Sequence, residues 1–172
     1  VVLGAGVREL GDGAFRGSGL DRIAQFAGQG DANDCGLEKI VNECFEETRL
    51  ARIAIPKSVT QLGAGAFRGC RWLRTVTFAE DCALRQIGSE CFKKTGIEQI
   101  LLPAALEAVG AGSFRGCASL WTVNTPESCA ASLFGAEIPV SAYVGPPSAL
   151  PVGRARLGDL RGLRDVALPE GL

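Results

Sequence analysis

The chain has 172 residues, 47% of them hydrophobic, enough to bury one ordinary core. Its 18 Lys and Arg balance 19 Asp and Glu, so no clustered basic excess is available for nucleic acid. The complete absence of histidine excludes an imidazole acid–base pair, a His-based triad and an imidazole metal site.

From the first residues the chain reads as repeat sequence. The stretch LGAGV at Leu3–Val7 looks like a dinucleotide-binding loop, but no G-x-G-x-x-G opens a helix there. The same letters return in register at Leu62–Ala66, so they belong to a period. Phenylalanines mark that period. Phe15, Phe45, Phe67, Phe92 and Phe114 each follow an aliphatic residue by five positions: Leu10, Ile40, Leu62, Ile87 and Val109. Each precedes a further one (Leu20, Leu50, Leu73, Ile97, Leu120), and three residues on come Ile23, Ile53, Val76, Ile100 and Val123. Long units alternate with short ones, and beneath them lies a super-repeat of 47 residues. Cys35, Cys82 and Cys129 keep that spacing, and Asp34–Glu80 can be laid over Asp81–Glu127 without a gap.

Units of this length, with one short extended stretch and one tight turn, cannot bury an apolar side alone. Stacked coils can, because equivalent residues then form continuous ladders. Short parallel strands are expected at Arg52–Ile55, Thr75–Phe78, Gln99–Leu102 and Thr122–Thr125, with weaker ones at Arg22–Gln25 and Asp165–Leu168. Val, Ile and Thr favour such stretches. The segments Gly11–Phe15, Gly63–Phe67 and Gly110–Phe114 are expected to form a turn or a one-turn helix on the opposite side. At ~4.8 Å per coil, six or so coils make a rod on the order of 30 Å long.

The expected fold is therefore an α/β repeat solenoid, a single domain over 1–172 with regular repeats over 7–127. Residues 157–172 read as the start of a further repeat. The proline-rich stretch 128–156 breaks the register, with Pro139 where a core Phe belongs. It is either a decayed coil or an insertion. A chain without Met that starts and stops inside repeats reads as a piece of a longer protein. No apolar run reaches the ~20 residues that cross a bilayer.

The run from Leu50 to Val76, LARIAIPKSVTQLGAGAFRGCRWLRTV, resembles the BspA-like leucine-rich repeat family, and the likeness covers roughly residues 7–127. It lapses over 128–156 and returns in Gly162–Leu172. The resemblance implies a curved, leucine-rich-repeat-like rod with its strands on the concave face. It also implies a role on surface and adhesion proteins, binding other macromolecules.

Seven cysteines occur without a C-x-x-C and without histidine, so a zinc site has no support. Cys70 and Cys117 stand three residues after Phe, where Ser18 replaces them in the first unit. They read as small buried fillers. Cys35 with Cys44, and Cys82 with Cys91, occur together only in the long units. Two readings stay open for them. Disulfides within each coil would imply an oxidising compartment, hence a cell-surface, secreted or lumenal protein. Ladder thiols would suit an intracellular or organellar one. Cys129 would be unpaired in either case.

For function, the residues between the inward aliphatics form one outward column: Arg22, Arg52, Thr75, Gln99, Thr122 and Asp165. A second runs through Ala24, Ala54, Thr77, Leu101, Asn124 and Ala167, with Arg74, Glu98, Trp121 and Arg164 on the flank. Arg and Trp are enriched among interface hot spots. Arg16, Arg68 and Arg115 make a basic column on the convex edge, which reads as a solvated stripe or, alternatively, a docking surface, and the recurring Glu43, Glu46, Glu47, Glu90 and Glu98 are explained by repeat register. Trp72 is either a contact residue or cover for a neighbouring coil. No catalytic constellation, cofactor motif or metal-ligand set is present. The expectation is a non-enzymatic protein-binding module, the alternative a scaffold subunit docked in a larger assembly.

Overall fold

The structure is a computed structural model and describes residues 2–4, 6–23, 25–26, 36–125, 136–139 and 143–145. Each coil carries two short parallel strands. The first lies just before the phenylalanine turn: β2 (Glu9–Leu10), β4 (Lys39–Ile40), β6 (Gln61–Leu62), β8 (Gln86–Ile87) and β10 (Ala108–Val109). These five form one parallel sheet in which each strand pairs with its equivalent in the next coil, Leu10 beside Ile40, Ile40 beside Leu62 and so on. In every one the first residue is exposed and the aliphatic is buried.

The second strand follows the turn. It appears as β1 (Val2–Leu3) with β3 (Gln25–Phe26), as β5 (Arg52–Ile55) with β7 (Thr75–Phe78), and as β9 (Gln99–Leu101) with β11 (Thr122–Asn124) and β12 (Tyr143–Gly145). Two predicted strands match to the residue, and those at 99 and 122 end one residue early. Among the described residues of Arg22–Gln25 only Gln25 is in a strand, because the pairing with Val2–Leu3 starts there. Asp165–Leu168 lies outside the described residues.

The phenylalanines stack face to face through the interior. Successive ring centroids are 5.2, 5.3, 5.5 and 5.7 Å apart, with planes within 15° of parallel. Phe45, Phe67, Phe92 and Phe114 are wholly buried, and each burial of this kind is worth about 1.5–3 kcal/mol. Around them Leu50, Leu73, Ile97 and Leu120 form the next ladder.

The turns are also bonded to one another. The Phe N–H donates to the carbonyl before the next phenylalanine: Phe15 to Cys44, Phe45 to Ala66, Phe67 to Cys91 and Phe92 to Ser113, at 2.8–2.9 Å. The residues two before and two after each Phe do the same, for instance Gly65 to Ser89 and Gly69 to Lys93. Both flanking positions have positive φ in every coil. They are Gly13/Gly17, Gly65/Gly69 and Gly112/Gly116 in the short units, but Glu43/Glu47 and Glu90/Lys94 in the long ones. Left-handed residues either side of Phe cannot continue an α-helix. The convex side is therefore turns, and no helix occurs among the described residues.

Past the last regular coil the stacking goes on. Phe114 N donates to Ala136 O at 2.8 Å, Ala136 is wholly buried, and β12 pairs in register with β11, Thr122 beside Tyr143.

Candidate functional site

The strand face carries the outward column in three successive coils. Arg52, Thr75 and Gln99 are exposed; β5 pairs Arg52 with Thr75, and Gln99 stands on β9, which lies against β7 without joining its sheet. Arg52 has no carboxylate partner among the described residues. On the flank Arg74 Nη1 lies 2.7 Å from Glu98 Oε1, an exposed pair worth at most about 1 kcal/mol to the fold. Trp121 is half-buried beside it, its backbone N–H donating to Glu98 O at 2.9 Å. Arg22 is exposed but precedes its strand.

The column ends at Gln99. The repeat register extends it to Thr122, yet Thr122 is wholly buried, and its hydroxyl has no partner among the described residues. The physical reason is the change in the strand itself. β5 and β9 alternate exposed and buried residues, while all three residues of β11 are buried, so both of its faces are covered. Asn124 leaves the second column in the same way. Arg164, Asp165 and Ala167 lie outside the described residues.

Between β7 and β9 the strand ladder breaks, since neither sheet joins them. Beside this break opens a cleft of about 710 Å³, walled by Phe78, Cys82, Leu101, Leu102 and Pro103 and edged by Glu80 and Asp81. Leu101 is 55% exposed there and forms part of the cleft wall. Sequence reasoning placed Leu101 in the outward column but missed the cleft. Its only signal was the longer connection after β7, residues 79–85 against 56–60 after β5.

Among the described residues no cysteine is disulfide-bonded. Cys44, Cys82 and Cys91 are free buried thiols, as are Cys70 and Cys117, and Cys35 lies outside the described residues. For Cys82 and Cys91 this supports the ladder-thiol reading, and the reason is register. Cys44 and Cys91 occupy the buried position before Phe that Ala66 and Ser113 fill in other coils, and Cys82 Sγ donates to Pro56 O at 3.7 Å. Cys70 and Cys117 are the small fillers expected, each against the Thr of the coil before, Thr48 and Thr95, at 3.3 Å. Burial pushes all five thiols up, Cys44 to about 12, which removes the thiolate that nucleophilic or metal chemistry needs. Among the described residues no group of His, Cys, Asp or Glu could hold a metal ion, and no helix is long and apolar enough to cross a membrane.

The basic stripe is not free in the structure. Arg16 lies 2.8 Å from Glu43 and 3.0 Å from Glu46, and Arg68 lies 2.7 Å from both. Arg68 also reaches Glu90 at 3.4 Å, which pairs with Lys93 at 2.6 Å, and Arg115 reaches Glu137 at 3.4 Å. Arg16, Glu43, Glu46, Arg68, Glu90 and Lys93 form one ion ladder climbing the turns, and Arg115 with Glu137 is a separate pair beyond it.

Parallel two-strand coils stacked on ladders of Phe, Leu and Cys define a solenoid of the leucine-rich-repeat class. Six copies of the BspA type leucine rich repeat match residues 38–134, so the chain belongs to that family. No curated protein matches the chain. Among solved structures, the chain is similar to the pneumococcal vaccine antigen PcpA, at 26% identity and a TM-score of 0.67, over 74% of this chain and 30% of that one. It is also similar to a leucine-rich repeat protein from Bacteroides capillosus, at 31% identity and a TM-score of 0.46, over 51% of this chain and 62% of that one. A leucine rich cell surface protein from Faecalibacterium prausnitzii is 24% identical with a TM-score of 0.49, over 72% of this chain and 38% of that one. The chain thus spans less than two thirds of the length of each.

Proposed function

We propose that this chain is a non-enzymatic recognition module that binds a protein partner across its strand face, in surface or adhesion-type recognition. The observation that carries the reading is the set Arg52, Thr75, Gln99 and Leu101. All four are exposed on strands fixed by neighbouring coils, and none is used by the fold. Side chains held this way lose little entropy on binding. Arg52 offers a charged fork and Leu101 an apolar anchor beside the cleft, the pairing of groups that concentrates interface energy. The similar pneumococcal protein, described as a vaccine antigen, supports placing such recognition outside the cell.

Display selection of protein fragments against the whole chain tests this, with each selected binder re-measured against Arg52→Glu combined with Leu101→Glu. Binders that lose at least tenfold affinity on that variant support the strand face. Binders indifferent to it place recognition elsewhere.

A further inference from the structure

On the turn edge, away from the strand face, a second cleft of about 510 Å³ is lined by the end of the ion ladder and by Trp72, which is 62% exposed. Most of the Trp72 surface is open to solvent. Five cations meet three carboxylates here: Arg49, Arg68, Arg71, Lys93 and Lys94 against Glu46, Glu47 and Glu90. The ladder neutralises part of this set, Arg68 by Glu46 and Glu90, and Lys93 by Glu90. Arg49, Arg71 and Lys94 have no carboxylate partner among the described residues. A chain of net charge −1 thus gathers three uncommitted cations around the most exposed large apolar side chain among the described residues.

The repeat does not ask for these residues. In the next short unit, Cys117-Ala118-Ser119-Leu120 fills the register of Cys70-Arg71-Trp72-Leu73. Ala118 and Ser119 show that the same bulge forms without Arg71 or Trp72. Gly96 stands in the register of Arg49, and Glu47 in that of Lys94. Four departures from the repeat therefore converge on one cleft, three adding or keeping charge and one adding an indole.

We propose that this turn-edge cleft is a second interaction surface, which takes an acidic peptide segment of a partner protein, with carboxylates beside an apolar side chain. The indole supplies area and a flat apolar face, and the guanidiniums of Arg49 and Arg71 supply forks that match carboxylates. Glu47 and Glu90 on the same rim favour a peptide over a uniformly anionic glycan. A peptide gathers its carboxylates over the cations and turns backbone N–H groups toward Glu47, whereas charge repeating along a glycan meets both glutamates.

The test is fluorescence anisotropy on the whole chain, with a labelled peptide carrying paired glutamates next to a leucine. The same peptide with glutamines and a labelled heparin fragment serve as controls. The variant Trp72→Ser with Arg71→Ala carries what the next coil already accommodates, and its circular dichroism melt checks the fold. The expected result is saturable binding of the glutamate peptide that weakens as salt rises. It is at least tenfold weaker for the variant and unchanged by Arg52→Glu. Absence of saturable binding, equal binding of the glutamine peptide, or an unaffected variant overturns the proposal. Tighter binding of the heparin fragment overturns the peptide assignment. Loss of binding with Arg52→Glu would move the event to the strand face.

Discussion

Arg68 clamps two glutamates of the preceding coil at once, its Nη2 2.7 Å from Glu43 Oε1 and its Nε 2.7 Å from Glu46 Oε1. Glu46 is only 5% exposed, so a charged carboxylate is held at the edge of the core by the arginines of the coils on either side. The guanidinium's own proton is held even more tightly than usual, first by the hydrogen bond to Glu46. Truncating Arg68 leaves Glu46 to Arg16 alone. Breaking a fully buried pair costs about 3–5 kcal/mol, and partial exposure with one surviving partner reduces this to about 2 kcal/mol for Arg68→Ala. Urea denaturation measures it. A loss below about 0.5 kcal/mol would show that the ladder contributes nothing beyond a surface pair.

The same ladder predicts a pH dependence. Lys93 first, and Arg68 after it, hold the Glu90 carboxyl below the usual carboxylate range. A group with a depressed folded pKa contributes stability that is present above its unfolded pKa and lost as pH falls through the folded one. Unfolding free energy should therefore decline on acidification from roughly pH 5 downward. Glu90→Gln should be less stable at neutral pH and show a flatter decline. Parallel curves for the two proteins would place the acid sensitivity elsewhere.

The phenylalanine column makes a graded prediction. Phe67 is wholly buried between rings at 5.3 and 5.5 Å, whereas Phe15 is partly buried and stacked against Phe45 alone among the described rings. Phe67→Ala should cost about 3–5 kcal/mol, enough to unfold a marginal solenoid, and Phe67→Leu about half of that. Phe15→Ala should cost distinctly less. Equal losses at the two sites would mean that the column is not a cooperative ladder.

Reading the sequence captured this column and the longer outer strands, because a large apolar residue recurring at near-fixed spacing has few explanations other than stacked coils. The inner strands were not legible. Lys39–Ile40 or Gln86–Ile87 is too short to show any period, and becomes a strand only when its equivalents stack beside it. The ion ladder was hidden for a related reason. Arg68 and Glu43 are 25 residues apart, and their proximity appears only once a short unit is laid over a long one. The left-handed turn positions did leave a signal, since Gly65 and Gly69 share a register with Glu43 and Glu47. The burial of Thr122 left none. Its own segment matches those of Thr75 and Gln99, and what covers it is not written there.

Cysteine chemistry separates the free-thiol arrangement from the disulfide alternative. With its thiol pushed up to about 12 from 9.0, Cys44 at pH 8 carries roughly a thousandth of the thiolate of an ordinary cysteine. Burial adds to the protection. Native iodoacetamide treatment should leave Cys44, Cys70, Cys82, Cys91 and Cys117 unmodified, and denaturation without reductant should expose all five at once. Peptide mapping that finds Cys82 joined to Cys91 would sink the ladder-thiol account.

Two glycines in the turns should behave differently although both lie next to the phenylalanine column. A Cβ on Gly88 would stand 2.5 Å from Ala64 N and 2.6 Å from Gly63 C, atoms of the coil before it. Backbone on backbone cannot give way cheaply, so Gly88→Ala must push two coils apart at a cost of about 2–3 kcal/mol or more. Gly17 has φ +62, but a Cβ there would meet nothing within 4 Å, so Gly17→Ala meets only the left-handed strain of about 1 kcal/mol. Glu47 and Lys94 already bear that strain at the equivalent position, which shows the fold tolerates it. Thermal melts of the two variants should differ by several degrees, Gly88→Ala being the lower. The opposite order would mean that backbone geometry, not the close approach of coils, decides where glycine is required.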